Sequence, residues 1–300
     1  VMPEAIGRKL PSRRWKTWGY LAVLILYASG IWLARMNSAA VHGLGALPVI
    51  LLGASLILLI TGAALLIRRG KYPASFLLVS MSLGLIYLGS ITPYAAPDEV
   101  YHYQEVISLA HGFLGRSTVD ASLISTMGLT PEHNTLAALK TMYGGFGEGL
   151  SGVMVPLPHA PVYARSYVYL PQLLSTWAGV LLGANRMTLF FTGGAAMLAL
   201  HAAMGALALS VMPKGWRLPL YLVMLLPMAL QQATSFSYDP LINDMAFLWV
   251  AMLARCWVDG RLVHGVWMMA LGALMVPIKP PYLFLLMLTF LLPDSGFRSP

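Results

Sequence analysis

The chain has 300 residues, of which 58% are hydrophobic and 10% charged, with 19 Lys and Arg against 11 Asp and Glu. Soluble domains carry roughly 25% charged residues, so this composition excludes an ordinary soluble globule and points to an integral membrane protein with several spans. The formal charge of +8 does not argue for nucleic acid, because the basic residues sit at the ends of apolar runs, as the positive-inside rule requires. The single cysteine, Cys256, rules out an internal disulfide. The 18 methionines read as packing residues.

In chain order, a basic N-terminus (Arg8, Lys9, Arg13, Arg14, Lys16) leads into the apolar run Trp18–Ala34, which reads as an uncleaved signal anchor. Further runs follow at Ala46–Ile67, Ala74–Ile91, Tyr169–Leu182, Met187–Met212, Leu218–Ala233, Leu241–Trp257, Leu262–Ile278 and Tyr282–Leu292. A bilayer span takes about 20 residues, so Tyr169–Leu182 is short, and how it lies decides the threading. With a cytoplasmic N-terminus and that run in the interface, thirteen of the 19 basic residues are cytoplasmic and six are outside. If the run crosses, the split is ten to nine, which the positive-inside rule disfavours. The interfacial threading is therefore adopted. It divides the chain into N-terminal spans over residues 1–91, an extracytoplasmic loop over 92–186, and further spans over 187–300.

The loop opens with Ile91-Thr-Pro-Tyr-Ala-Ala-Pro97-Asp98-Glu99-Val-Tyr-His102, two carboxylates and a histidine beside a hydrophobic run. Ionisable groups at a membrane boundary are costly, which marks them as functional candidates. Pro97 to Gly112 reads as a helix, with Val100, Gln104, Ile107 and Ala110 on one face, lying on the bilayer. Helix capping alone accounts for an acid at Asp98. The i, i+4 spacing also lets Asp98 and His102 meet. Together they would be the ligands of a divalent metal if one is bound, but two ligands do not make a metal site. His111, His133 and His159 follow no ligand spacing and read as surface residues. Glycines 144, 145, 147, 149 and 152 read as a loop and not as a phosphate-binding loop, since no Gly-Lys-Ser/Thr follows.

Beyond the loop, Arg186 opens a span, either as an interfacial anchor or as a clamp for a phosphate. In Ser235-Phe-Ser-Tyr238-Asp239-Pro240, Asp239 reads equally as an N-cap and as a group facing the same cavity. The prolines of Lys279-Pro280-Pro281-Tyr282 break a helix and leave Lys279 either snorkelling or meeting an anion. The adopted threading puts Asp98, Glu99, His102, Arg186, Asp239 and Lys279 on one side of the membrane.

Pro97-Asp98-Glu99-x-x-His102, Tyr167-x-Tyr169-Leu-Pro171, Asn185-Arg186, Ser235-x-Ser-Tyr-Asp239 and Lys279-Pro-Pro-Tyr282 occur in that order. Over about residues 88–292 this set resembles a largely uncharacterised family of bacterial membrane proteins grouped with the GT-C superfamily of glycosyltransferases. The resemblance implies an all-α, polytopic transmembrane bundle in the bacterial inner membrane, with juxtamembrane helices in its extracytoplasmic loop. It implies an enzyme that takes a sugar from a polyprenyl-phosphate carrier and passes it to a glycan, lipid or protein acceptor. Asp98 would be the general base, Glu99 its neighbour or alternate, and Asp239 a second acid. Arg186 and Lys279 are assigned to the donor phosphate, with His102, Tyr238 and Tyr282 in support. No cofactor is required beyond a divalent metal, should the Asp98–His102 pair hold one, and membrane lipid is a partner. The hairpin Trp18–Ile67 is extra to the pattern, and the last span is incomplete at Pro300, which suggests a truncated chain. The rival readings are a membrane transporter and a truncated, non-catalytic membrane protein.

Overall fold

The computed structural model describes residues 47–126, 128–129, 135–259 and 264–292. The expected anchor Trp18–Ala34, the basic N-terminus, His133 and the segment after Leu292 lie outside the described residues.

The described chain is mostly helical. Helix α1, Leu47–Arg69, ends at Gly70, whose left-handed backbone (φ 58°) lets the N–H groups of Gly70 and Lys71 donate to the carbonyls of Leu66 and Leu65. Helix α2, Tyr72–Ser90, starts at once with Pro73 in its first turn. Helix α3 spans Glu99–Phe113, so it begins at Glu99 and not at the expected Pro97. A short pair of strands, β1 (Thr118–Asp120) and β2 (Met154–Pro156), is antiparallel with Thr118 opposite Pro156 and Asp120 opposite Met154. Between the strands lie α4 (Ala121–Ile124) and α5 (Leu136–Gly145). A 3-10 segment, Tyr163–Tyr169, leads into α6, Leu170–Leu181. Helix α7, Arg186–Val211, is the longest, and α8 (Arg217–Met224), α9 (Pro227–Thr234), α10 (Asp239–Asp259), α11 (Gly265–Met275) and α12 (Tyr282–Leu286) follow.

Among the described residues, three helices are long and apolar enough to cross a membrane: α2, α7 and α10. The expected run Ala46–Ile67 is present as the unbroken helix α1, whereas several of the other described runs are shorter or broken, for local reasons. Leu218–Ala233 divides into α8 and α9, because Pro227 lacks an N–H and holds Leu226 extended (ψ 145°). In Leu262–Ile278 the described helix, α11, stops ahead of Pro277. Helix α6 has 12 residues, about 18 Å at 1.5 Å per residue against an apolar thickness of roughly 30 Å.

The long helices pack closely. Helices α2 and α7 run antiparallel, with Gly84 against Leu198 and Gly194 against Leu88. Helices α7 and α10 run parallel, with Gly193 against Phe236 just before α10 and His201 bonded to Asp244 within it. A β-carbon at position 194 would stand 2.7 Å from the Thr234 carbonyl oxygen, so glycine is needed for α9 to end against α7. The end of α2 and the starts of α7 and α10 therefore meet at one end of the bundle.

Helix α3 corrects one expectation. Tyr103, Val106, Ile107, Leu109 and Ala110 are fully buried and Glu99, Glu105 and His111 nearly so. It is embedded in protein on most sides and does not lie on a bilayer by a Val100–Gln104–Ile107–Ala110 stripe. The exposed apolar stripe belongs instead to α6, where Leu170, Leu174, Trp177 and Leu181 recur at helical spacing. The glycine-rich stretch is also tied down: the Asn185 amide donates to the carbonyls of Gly145, Phe146 and Glu148.

Candidate functional site

The site forms where α3 meets the turn between α9 and α10. Two residues in the connection from α2, Tyr94 (φ 66°) and Asp98 (φ 59°), adopt left-handed backbone although neither is glycine. Such positions cost of order 1–3 kcal/mol and persist where the surroundings impose them. Tyr94 is imposed by packing, since its buried ring sits edge-on to Tyr103 and Phe190. Asp98 precedes α3 but does not cap it, because its side chain makes no cap hydrogen bond. Its carboxylate is exposed and has no hydrogen-bond or ion-pair partner among the described residues.

Glu99 is its opposite. Its carboxylate is buried and accepts from the backbone N–H of Phe236 at 2.6 Å and of Ala96 at 3.4 Å. Burial pushes its pKa up from 4.5 to about 7 against those backbone donors. Glu99 therefore ties the connection before α3 to the Ser235–Tyr238 turn. Gln172 of α6 holds the same turn from the other side, donating to the Ser237 carbonyl at 2.7 Å. The turn is clamped from both sides, which fixes where Tyr238 and Asp239 point.

Asp239, the first residue of α10, forms an ion pair with Lys279 at 2.7 Å, both side chains about one-third exposed. The Lys279 ammonium also stands 5.7 Å from the centre of the Tyr238 ring. Burial works against that charge, but the Asp239 hydrogen bond and carboxylate outweigh it and raise the Lys279 pKa. Tyr282 donates to Asn243 Oδ1 at 2.8 Å, and Asn243 donates to Gln232, so the Lys279 turn is fastened to α10 and α9. Burial raises the Tyr282 pKa against the pull of Lys279.

His102 lies at the centre. Its Nδ1 pairs with the Tyr169 hydroxyl at 2.7 Å and its ring meets Tyr238 edge-on at 4.9 Å. Burial lowers its pKa against the Asp239 and Asp98 carboxylates, with Lys279 adding to the lowering. His102 thus senses all three charged residues. A cavity of about 330 Å³ opens beside it, walled by Tyr101, Glu105, Tyr167, Tyr169, Tyr238 and Ile278 among others.

The structure thus brings together Asp98, His102, Tyr238, Asp239 and Lys279, with Tyr282 behind them and Glu99 beneath. Arg186 stands apart from them. It is almost fully buried, with its guanidinium donating to the Ser125 carbonyl at 2.7 Å and to Glu148 at 3.1 Å, so the expected phosphate clamp is a structural tie. Nor do Asp98 and His102 form a side-chain pair, because the imidazole bonds Tyr169. No group of three or more metal-binding side chains occurs among the described residues. Glu105 and Gln172 escaped sequence reasoning. Glu105 lies one turn beyond His102 on α3 and carried no motif, and the partner of Gln172 is distant in sequence.

Residues 160–299 match the family model described as "Predicted membrane protein (DUF2142)". This is just under half of the chain. It includes Tyr169, Arg186, Asp239, Lys279 and Tyr282 but not Asp98, Glu99 or His102, a narrower range than the expected 88–292. No curated protein matches the chain. No solved structure matches it. With several apolar helices and this match, the chain is a membrane protein whose C-terminal part is similar to the DUF2142 family of predicted membrane proteins.

Proposed function

We propose that the protein is a glycosyltransferase that takes a sugar from a polyprenyl-phosphate carrier at the extracytoplasmic face of the bacterial inner membrane. It acts in cell-envelope glycan or glycolipid modification and uses the GT-C-like arrangement of an acid in the first outer loop. The observation that carries the reading is Asp98: an exposed carboxylate on left-handed backbone, without a hydrogen-bond or ion-pair partner among the described residues, four residues before the His102 that meets Tyr238 and lines a tyrosine-walled cavity. A general base must be free to accept a proton, and the exposed Asp98 carboxylate supports that role.

In this reading Asp98 takes the proton from an acceptor hydroxyl. The hydroxyl oxygen attacks the anomeric carbon from the face opposite the carrier, the bond from that carbon to the phosphate oxygen breaks, and the carrier phosphate leaves with the bonding pair. Lys279, oriented by Asp239 and resting on Tyr238, balances the departing negative charge. A single displacement inverts the anomeric configuration. Glu99 acts through position, by fixing the turn that carries Tyr238 and Asp239. The apolar stripe of α6 fits a helix lying in the membrane interface beside the site, with Trp177 at headgroup level.

The test is transfer from radiolabelled polyprenyl-phosphate hexoses to membrane glycans and lipids by the chain in nanodiscs. Asp98→Asn should lower transfer by about 10²–10⁴-fold while leaving folding and donor binding intact. A variant with near-normal transfer overturns the assignment of the base. Substrate uptake by liposomes without any glycosyl transfer would favour a transporter.

A further inference from the structure

We infer that the cavity beside His102 is a monosaccharide subsite in which Glu105 is the specificity-determining acceptor of sugar hydroxyls. The inference rests on the glycosyltransferase reading and names the part of the donor or acceptor that this reading leaves open.

The first observation is Glu105 itself. It is 6% exposed and lines the cavity, yet its carboxylate has no hydrogen-bond or ion-pair partner among the described residues. A buried ionisable group is normally satisfied, because leaving it bare costs several kcal/mol. Asp120, also buried, shows what satisfaction looks like in this chain: it accepts from Ser122, Ser151 and Gly152. Among the described residues, Glu105 has the cavity to face. A carboxylate there presents about four lone pairs to hydroxyl donors, and such bonds are the stronger, charge-assisted kind.

The second observation is the wall. Tyr101, Tyr167, Tyr169 and Tyr238 line the cavity with His102. Flat rings with polar rims fit the C–H faces and hydroxyl edges of a pyranose. At about 330 Å³, the volume lies at the small end of the roughly 300–1,000 Å³ range of ligand sites, room for one sugar ring.

Aromatic walls and a carboxylate also suit an organic cation. The charges decide against it. The Lys279 ammonium already lies over the Tyr238 ring, 5.7 Å from its centre, so a second cation on that ring would meet a like charge. A neutral sugar ring meets no such penalty.

The experiment is saturation-transfer NMR on the full chain in nanodiscs with methyl α- and β-pyranosides of glucose, galactose and mannose, and with tetramethylammonium as the cationic probe. At least one pyranoside should receive saturation, and Glu105→Gln should weaken its binding about tenfold or more, the loss of one charge-assisted bond. Tyr101→Ala, which removes an exposed ring and leaves the core untouched, should weaken the same pyranoside and guards against a Glu105 variant that fails to fold. Absence of pyranoside binding, preference for tetramethylammonium, or equal binding by wild type and both variants overturns the subsite. Glu105-dependent pyranoside binding without transferase activity would uphold the subsite and sink the transferase. Transfer with a sugar preference unchanged by Glu105→Gln would do the reverse.

Discussion

At the scale of single residues, the adjacent carboxylates Asp98 and Glu99 take opposite roles because the backbone turns between them. Left-handed φ at Asp98 sends one side chain outward, and the first turn of α3 sends the next into the protein. The contrast predicts a pH signature for Glu99. Its folded pKa of about 7 stands above the ordinary 4.5, so the folded protein holds this proton more tightly than the unfolded chain. Its contribution to stability is then full below the unfolded value and declines as pH rises toward the folded one. Glu99→Gln, which cannot ionise, should flatten the fall in stability between about pH 4.5 and 7, read by thermal unfolding in detergent at several pH values. Glu99→Ala leaves the Phe236 N–H buried without its acceptor and should cost about 1–3 kcal/mol at low pH, where the contribution is full, and less as pH rises toward 7. Of these roles, the charge cluster was legible in the sequence and the division of labour was not. Asp98 stands out as an acid at the edge of an apolar run, but only the tertiary contact with Phe236 distinguishes Glu99 from it.

At the scale of elements, the loop between α2 and α7 is held by hydrogen bonds that sequence periodicity does not encode. Asp120 ends β1 and gathers backbone N–H and hydroxyl donors from Ser122, Ser151 and Gly152, closing the β1–β2 pair. Burial opposes its charge, but the hydrogen bonds prevail and hold the carboxyl well below the usual range. A depressed folded pKa gives stability that is complete above the unfolded value of about 3.9 and is lost as pH falls below it. Asp120→Ala should therefore loosen this pair at neutral pH by about 1.5–3 kcal/mol per charged bond lost. Faster hydrogen exchange at the Val119 and Val155 amides, with exchange in α7 and α10 unchanged, would show it. Unaltered exchange at both valines would mean that packing alone holds the strands. The strands were missed because three residues each is too short for alternation to show. The breaks at Pro227 and Pro277 were missed for a different cause: apolar composition continues across a proline that the helix does not survive. Where a break carries a charge, as at Lys279-Pro280-Pro281, the sequence did reveal it.

For the whole molecule, the bundle depends on α7 and α10 lying parallel, and a polar tie between them is buried. His201 Nδ1 meets Asp244 Oδ1 at 2.7 Å, with both side chains 2% exposed or less, and the other Asp244 oxygen has no hydrogen-bond partner among the described residues. Asp244 follows Asp239 on α10 by little more than one turn, so this tie sets the depth and rotation at which α10 presents Asp239 to Lys279. Polar pairs inside a membrane bundle are costly and persist where they fix an arrangement. His201→Leu strands Asp244 among apolar side chains and should destabilise the bundle by about 3–5 kcal/mol. Replacing both residues by leucine removes the orphan as well as its partner and should recover most of that loss, since well-packed apolar replacements of buried pairs are often neutral. Unfolding in mixed detergent micelles for the two single variants and the double variant gives the coupling directly. Additive losses would mean that the two side chains are not a unit. Recovery of stability without recovery of the proposed glycosyl transfer would mean that the pair aligns Asp239 with Lys279 rather than merely holding the helices together.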